Sequence, residues 1–254
     1  MSEDDNLIQG QGTSAEAWAS SQRLAALPVV ALDELIAPGS RLAIVAPHPD
    51  DEVLGCGGLL AQLAARDAPI RIVAVTDGEG SHPNSTLWPV ATLRAIRQQE
   101  SRIALQCLGI SAQRIEWTRL HLPDSGVALD EPRLRAHLEQ ALQGCSHVIT
   151  TWRADGHCDH EVVGRVSTAV AQATGATLYE MPVWAWHWAT PEDPRIPWER
   201  ACKLRLGEQT LARKRFALHA HRSQLLADPS TGAPPILTER TLARFAQPYE
   251  VYFR

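Results

Sequence analysis

The sequence has 254 residues, of which 44% are hydrophobic and 21% charged, the proportions of an ordinary folded protein. Its net charge of −5 and isoelectric point near 6.1 give no electrostatic reason to expect nucleic acid or an anionic membrane as a partner. No apolar run approaches the roughly 20 residues that a membrane-spanning helix needs.

The first third of the chain shows a β–α–β pattern after a polar start. Residues 1–13 are polar and glycine-rich and predict a mobile tail, and a capped amphipathic helix is predicted over 14–27. A buried strand at 41–46 is followed by a helix over 53–67 and by a second strand at 70–76. Because a helix joins these two strands, the order predicts a parallel sheet with a right-handed crossover.

The alternation of helices and strands continues through the rest of the chain. The hydrophobic pattern predicts, in order, a helix at 90–108, a strand at 114–118, a helix at 131–143, strands at 147–152 and 177–183, and a last strand at 249–253. Leucines at every seventh position predict one long helix over 199–226. We therefore predict an α/β fold with one doubly wound, mostly parallel, Rossmann-like sheet and flanking helices. It would form a single domain over 14–254 with a core of about 40–226.

The cysteines and the start of the chain bear on the cellular compartment. The five cysteines are an odd number without a CxxC pair, which tells against a disulfide framework and against a structural zinc site. The first six residues are acidic and polar and do not have the pattern of a signal peptide. We therefore expect a protein of the reducing cytoplasm.

Two groups of histidines and acids follow two different predicted strands. The first group follows the strand at 41–46 and contains His48, Asp50, Asp51 and Glu52. The second follows the strand at 147–152 and contains His157, Asp159 and His160. The ends of parallel strands face one crevice, so groups about 100 residues apart can converge. Two imidazoles and one carboxylate form a known catalytic zinc site that leaves one position open for water.

The spacing within the two groups assigns His48, Asp51 and His160 as metal ligands. His48 and Asp51 are three residues apart, one turn as the strand enters the helix, so both can point at one centre. Asp50 then faces the water side. His157 lies one turn before His160 and can reach a substrate without being a ligand.

Both groups resemble the signatures of a known family. The stretch Ala46-Pro47-His48-Pro49-Asp50-Asp51-Glu52 resembles the (A)HPDDE signature of the PIG-L/LmbE-like N-acetylglucosaminyl deacetylases, and His157-Cys158-Asp159-His160 resembles their H-x-D-H signature. The similarity extends over roughly residues 40–226 and includes the turn at 76–78, Arg97 with Glu100, Leu108-Gly109, Lys214 and the stretch His221-Arg222-Ser223-Gln224. Pro47 and Cys158 depart from the usual pattern, and neither is a predicted ligand.

The resemblance implies a zinc-dependent hydrolase that removes the N-acetyl group from an N-acetylglucosamine-containing glycoside or glycoconjugate. The metal, Zn²⁺ or another divalent ion such as Fe²⁺, would be held by His48, Asp51 and His160. Asp50 would act as the general base toward the attacking water. His157, oriented by Asp159, would stabilise or protonate the developing oxyanion.

Substrate contacts are predicted in three loops, at 79–89, 119–130 and 184–198. Polar residues after the second strand that could bind sugar hydroxyls are Asp77, Glu79 and His82, with a solvated polar loop as the alternative interpretation. Alternating tryptophans would share one face if their segment were a strand. They could stack on a sugar ring, or pack against the C-terminal helix or a second subunit, and we expect one of them to line the cleft. The tryptophans considered as substrate contacts are Trp184 and Trp186.

Three other classes of protein share parts of this sequence pattern. The same two-histidine, one-carboxylate set also forms the site of non-haem Fe(II) oxygenases. The stretch Gly55-Cys56-Gly57-Gly58 suggests a dinucleotide-binding module, but it falls inside the following helix, where close helix–sheet packing explains it. A non-catalytic sugar-binding protein would leave three consecutive acids unexplained. The sequence leaves open which N-acetylated compound is used and whether the chain forms a homo-oligomer.

Overall fold

The computed structural model describes residue 8, residues 10–66 and residues 69–254. In this part of the chain one sheet is formed by β1 Val29–Val30, β2 Leu42–Ala46, β3 Ile70–Thr76, β4 Ile115–Leu122, β5 His147–Thr151, β6 Thr177–Met181, β7 Ala201–Arg205 and β8 Tyr249–Phe253. The strand order is β1-β7-β8-β6-β5-β2-β3-β4. The neighbours are parallel except where β8 pairs antiparallel with β6 and β7. The predicted doubly wound, mostly parallel sheet is confirmed.

Helices cover both faces of this sheet. They are α1 Ala15–Ala19, α2 Gln22–Ala26, α3 Leu32–Leu35, α4 Asp51–Leu63, α5 Val90–Cys107, α6 Glu131–Ala141, α7 Cys158–Thr174, α8 Ala185–Trp188, α9 Glu208–Leu218, α10 Arg222–Leu225 and α11 Glu239–Phe245. Side chains of α4, α5 and α9 pack on one face, and those of α6 and α7 on the other. No helix in the described ranges has the length and apolar character needed to cross a membrane.

The all-apolar sequence of β2 follows from its burial on both faces. Leu42 and Ile44 point into the core on the α4 side, whereas Ala43 and Val45 point into the core on the α7 side. Successive side chains of a strand alternate between faces, so a strand covered by helices on both sides has no polar position. The continuous run from 42 to 46 is therefore a central strand.

The sheet changes direction between β2 and β5. From β2 the chain adds β3 and β4 on one side, and it then returns to place β5 on the other side of β2. Val45 pairs with Thr150, so the two strands end side by side. Loops that leave neighbouring strands at such a reversal open a crevice where ligands bind in open α/β sheets. The two groups of histidines and acids lie in these loops and in the first turns of the helices that follow them.

The single helix predicted over 199–226 is wrong. Residues 201–205 form β7, which pairs with β8, and the helical part is divided into α9 and α10. Leu204 therefore lies in a strand and Leu218 in a helix, and their spacing does not reflect one helical face. The pairing with β8, which is distant in sequence, determines the local structure of this segment.

The N-terminal part also differs from the prediction. The helix predicted over 14–27 is two short helices, and Ser21 begins the second by accepting a hydrogen bond from the Leu24 amide. Residues 1–7 and 9 of the predicted tail, and the predicted helix end at Asp67, lie outside the described residues. Within the tail, the Thr13 amide donates to the carbonyl of His187 at 2.9 Å. The division into a tail and one domain stays a prediction.

A buried ion pair ties α4 to α9 and β8. Lys214 Nζ lies 2.6 Å from Glu250 Oε1 and also donates to the Leu54 carbonyl. The same carboxylate accepts hydrogen bonds from the amides of Gly58 and Leu59. The pair therefore holds the helix whose first turn carries Asp51. The helix can lie this close to the sheet because residue 55 is a glycine, and a Cβ there would overlap the side chain of Met181.

Replacing Lys214 by Met should destabilise the protein by about 3–5 kcal/mol, because the buried Glu250 would lose the cation that pairs with it. The free energy of unfolding would be measured by chemical denaturation. The matched control is Arg165→Met, which breaks a 2.7 Å pair with Glu131 on the exposed surface and should cost about 1 kcal/mol or less. Equal losses in the two variants would contradict a structural role for the buried pair.

Candidate metal centre

The turn between β2 and α4 carries the first group of polar residues. Its shape is fixed by Asp51, whose Oδ2 accepts a hydrogen bond from the His48 amide at 2.9 Å. Asp51 and Glu52 form the first turn of α4, where the helix dipole favours negative charge. Asp50 precedes the helix with a φ of 157°, a value that residues other than glycine rarely adopt. Such strain persists only where the surrounding structure enforces it, and it is common at functional sites.

Three side chains from the two groups converge on one point. His48 Nδ1 lies 3.2 Å from His160 Nε2 and 3.4 Å from Asp51 Oδ2, and the last two atoms are 3.3 Å apart. Ligands about 2.0–2.1 Å from a tetrahedrally coordinated zinc ion are roughly 3.3 Å from one another. The predicted ligand set therefore has the spacing of three corners of a zinc tetrahedron.

The other ring nitrogens of the two histidines contact carboxylates. His160 Nδ1 lies 2.8 Å from Asp155 Oδ2, and His48 Nε2 lies 3.2 Å from both Asp159 Oδ2 and Asp124 Oδ1. A metal-binding histidine usually donates its second ring N–H to a carboxylate, which fixes its tautomer. These contacts leave the nitrogens at the convergence point free to act as ligands.

His48 also belongs to two other sets of donor atoms that lie within 4.8 Å of one another, one with His157 and His160 and one with Asp124 and Asp159. In the second set the carboxylates face the nitrogen that carries a proton, and an N–H cannot bind a metal. The first set shares two histidines with the predicted set and lacks a carboxylate. The predicted set fits a divalent cation best, since it supplies one.

The charges of the cluster are coupled. Burial alone would lower the pKa of His48, yet its contacts with the neighbouring acids raise that pKa well above its usual value. At His160, burial would also lower the pKa, but Asp51 and Asp155 raise it to about 9. Burial would raise the pKa of Asp51, but His160 holds it well below its usual range. Without a metal the surrounding acids therefore favour the protonated forms of these histidines.

Asp50 lies beside these donors with Arg97 as its partner. Arg97 Nη2 donates to Asp50 Oδ2 and to the Pro49 carbonyl, both at 3.0 Å. Burial raises the pKa of the Asp50 carboxyl to about 7, with Arg97 opposing the rise and Asp51 adding to it. A carboxyl with a pKa near neutral is suited to take a proton from water and to return it.

His157 borders the site, but Asp159 does not orient it as predicted. The Nδ1 atom of His157 accepts a hydrogen bond from the Asp159 amide at 3.3 Å, so the neutral ring carries its proton on Nε2. Burial, together with His160 and His48, lowers the pKa of His157 to about 4. The carboxylate of Asp159 instead contacts His48 and accepts from the Ser125 amide at 2.7 Å. The backbone of Asp159, and not its side chain, positions His157.

A cavity of about 720 Å³, open to solvent, lies over the donor set. Its polar wall includes His48, Asp50, Asp51, Gly80, Ser81, Arg97, Asp124, Ser125 and His157. Its apolar wall consists of Leu54, Val183, Trp184, Ile236, Leu237 and Phe245. Each of the three loops predicted to determine specificity contributes at least one residue.

Of the five residues predicted to contact substrate, Trp184 lines this cavity. The other four have these partners: Asp77 accepts from Gln98 and contacts His121, Glu79 accepts from Arg94, His82 contacts Ser81, and Trp186 packs edge-on against Trp18. The tryptophans do not share the face of a strand, because their segment forms α8. A role in substrate binding for these residues stays a prediction.

The sequence did not indicate two of the carboxylates in the site. Asp155 precedes His160 by five residues in the loop after β5, so its position next to a predicted ligand was an available signal. Asp124 lies in the loop after β4 without a recognisable pattern around it. The wall formed by residues 236–245 comes from outside the predicted core of 40–226, and only the tertiary structure brings it to the cavity.

The chain is similar in sequence to a known family and to a curated deacetylase. Residues 43–171, just over half of the chain, match the PIG-L family, described as GlcNAc-PI de-N-acetylase. The chain is 32% identical over 162 residues to 1D-myo-inositol 2-acetamido-2-deoxy-alpha-D-glucopyranoside deacetylase of Rhodococcus jostii. That match covers 55% of this chain and 56% of the relative, so the chain spans little more than half the length of this curated protein.

Two solved structures are similar in fold. The conserved protein TT1542 of Thermus thermophilus has a TM-score of 0.56 and 27% identity, with 74% of this chain and 80% of that chain covered. The N,N'-diacetylchitobiose deacetylase of Pyrococcus horikoshii has a TM-score of 0.58 and 20% identity, with 76% of this chain and 74% of that chain covered. The second likeness concerns the fold alone.

Zinc binding to the metal-free protein should release protons at pH 7, because the neighbouring acids raise the pKa values of His48 and His160 and a metal must displace the protons that these rings hold. The apparent zinc affinity should therefore increase as the pH rises from 6.5 towards about 9. Calorimetric titrations in buffers with different ionisation enthalpies would count the protons. Zinc binding without proton release, or with an affinity independent of pH, would contradict this assignment.

Asp155→Asn should weaken zinc binding by roughly 10- to 100-fold, because the neutral amide orients His160 less strongly than the carboxylate does. The dissociation constant would be measured by competition with a chelating dye. Asp193→Asn is the control, since Asp193 is also buried but pairs with Arg195 instead of a histidine. If both variants bind zinc like the wild type, Asp155 has no part in the metal site.

Proposed function

This chain belongs to the PIG-L family of GlcNAc-PI de-N-acetylases, and we propose that it is a metal-dependent hydrolase that removes the acetyl group from an N-acetylglucosamine-containing glycoside or glycoconjugate. The observation that carries the proposal is the convergence of His48, Asp51 and His160 next to an Asp50 carboxyl with a near-neutral pKa. The activity named for the Rhodococcus relative supports the same reaction class.

The donor set supports zinc as the metal, with Fe²⁺ as another ion that such a set accepts. A zinc ion held by these residues would supply a Lewis acid and would lower the pKa of water from about 15.7 towards roughly 7. The two histidines supply neutral nitrogen ligands once their protons have left, and Asp51 supplies the negative charge. The carboxylates on the far side of the rings keep both imidazoles in the tautomer that this role requires.

Asp50 acts as the general base in the proposed reaction. Its carboxylate takes one proton from the attacking water while the water oxygen forms a bond to the acetamido carbon. Arg97 holds the carboxylate in place through the 3.0 Å contact and stabilises its ionised form. When the C–N bond breaks, the same carboxyl returns the proton to the departing nitrogen, and the products are acetate and a free amine.

His157 stabilises the negative oxygen that forms when water adds to the amide. Its Nδ1 accepts from a backbone amide, so the Nε2–H is available to donate toward the cavity. The low pKa of the ring keeps it neutral at pH 7, so it acts through a hydrogen bond. Donors aimed at a developing oxyanion are among the largest contributions to catalysis of acyl transfer.

We place the protein in the cytoplasm as part of this proposal. All five cysteines are unpaired: Cys56, Cys107, Cys145, Cys158 and Cys202. Cys158 is exposed, and several unpaired cysteines in one chain are typical of proteins in a reducing compartment. Separation of cell fractions with an antibody against the chain would test the location.

The proposed activity would be tested on a panel of N-acetylglucosaminides by detection of free amine. Enzyme stripped with a chelator and reloaded with zinc or with ferrous iron should release amine and acetate in equal amounts, and the stripped enzyme should release neither. Loaded enzyme that releases no amine from any compound would contradict the proposal. Activity that requires ferrous iron, oxygen and a 2-oxoacid would favour an oxygenase instead.

Asp50→Ala should retain zinc and lose deacetylation by roughly a hundredfold or more, because it removes the general base and leaves the ligands in place. His160→Ala should lose zinc together with activity. Metal analysis of the purified variants and kcat measurements would separate the two effects, with the exposed His219→Ala as a control that changes neither. Near-native turnover by Asp50→Ala would remove that residue from the mechanism.

A further inference from the structure

A buried arginine lies in the wall of the same cavity as the proposed metal ligands. Arg244, at the end of α11, is 7% exposed and lines the same cavity as His48 and Asp50. Its neighbours in that wall include Leu237 and Phe245, which are apolar. A charged side chain in such surroundings is costly unless an opposite charge accompanies it.

Arg244 has no carboxylate within 4 Å among the described residues, although other buried cations of the chain do. Lys214 pairs with Glu250, and Arg97 contacts Asp50. Burial, and after it the positive charge of Arg240, lowers the pKa of the Arg244 guanidinium to about 10. At neutral pH the group is still protonated, so this part of the cavity wall carries a positive charge that no carboxylate of the described residues contacts.

The hydrogen bonds of Arg244 use only part of its donor capacity. Its Nε donates to the Thr13 carbonyl at 2.7 Å, Nη2 donates to the Gln11 carbonyl, and Nη1 lies 3.1 Å from His187 Nδ1. A guanidinium has five N–H bonds in a planar fork, so each terminal nitrogen has a second N–H beyond these contacts. This fork geometry matches a carboxylate or a phosphate.

We infer that the substrate carries an anionic group, a carboxylate or a phosphate, on the part of the molecule away from the acetamido sugar, and that Arg244 binds this group. The inference rests on the proposed function, since it places the acetamido group at the metal ligands and the remainder of the substrate along the apolar wall. Arg244 lies outside the matched residues 43–171, so it is a feature that the family match does not cover.

A purely structural role for Arg244 is the alternative, because the arginine also fastens residues 11–13 to the domain. Arg240 provides the matched control. Its Nε donates to the Gln11 carbonyl at 3.2 Å and its Nη2 to the Gly12 carbonyl at 3.1 Å, yet it does not line the cavity. Arg240→Gln therefore loosens the same segment without removing the charge from the cavity wall.

The inference would be tested with N-acetylglucosaminides whose aglycone is an alkyl chain of graded length that ends in a carboxylate, a phosphate monoester or an uncharged primary amide. For the wild type, kcat/KM should be about tenfold or more higher for at least one anion than for the amide of the same length. Arg244→Gln should reduce that ratio to about one, and Arg240→Gln should preserve it. Arg244→Lys, which keeps the charge and loses the fork, should preserve part of it.

Two results would overturn the inference: a wild-type ratio near one at every chain length, or an unchanged ratio in Arg244→Gln. The preference between carboxylate and phosphate identifies which anion is used.

Calorimetric binding of the corresponding free-amine glycosides to metal-free protein separates this inference from the proposed function. Tighter binding of the anion that is lost in Arg244→Gln supports the role of Arg244 even if no compound is deacetylated, and equal or undetectable binding of anion and amide contradicts it.

Discussion

The crowding of carboxylates around two histidines is the constraint on which the rest of this structure depends. Six acidic side chains gather at the ends of neighbouring strands: Asp50, Asp51, Glu52, Asp124, Asp155 and Asp159. Acids brought together away from water repel one another, and such an arrangement is stable only when cations offset it. Arg97 and the two protonated histidines do so in the metal-free chain, and a divalent ion would replace the histidine protons.

The sheet brings this charge together without long or irregular connections. Because β2 and β5 are neighbours and end at the same level, the loops that follow them need only a few residues to reach each other. The backbone then completes the arrangement: Asp155 accepts hydrogen bonds from the amides of Val183, Trp184 and Ala185, which fixes it behind His160. The same three amides begin the segment that forms part of the apolar wall, so the metal ligands and the substrate wall share one support.

The parts of the site that could be predicted from the sequence are those determined within one loop. His48, Asp51 and His160 could be proposed as ligands because each group follows a strand and has members one helical turn apart, which is a local property. Arg244 could not be identified, since it reaches the cavity only through the packing of α11 against the N-terminal segment. The helix predicted over 199–226 failed for the same reason, because pairing between β7 and β8 determines whether residues 201–205 are a strand.

The position of β8 has a consequence for how the chain reaches this state during synthesis. β8 leaves the ribosome after β1 to β7, yet it lies between β6 and β7, so β7 and β1 cannot join the sheet before it arrives. Until then, Lys214 and the amides of α4 lack the carboxylate of Glu250. The parallel half of the sheet, β2 to β6, can form while translation continues, and the support of α4 is completed only afterwards. A nascent chain paused before β8 would therefore expose the unpaired backbone edge of β6 to chaperones.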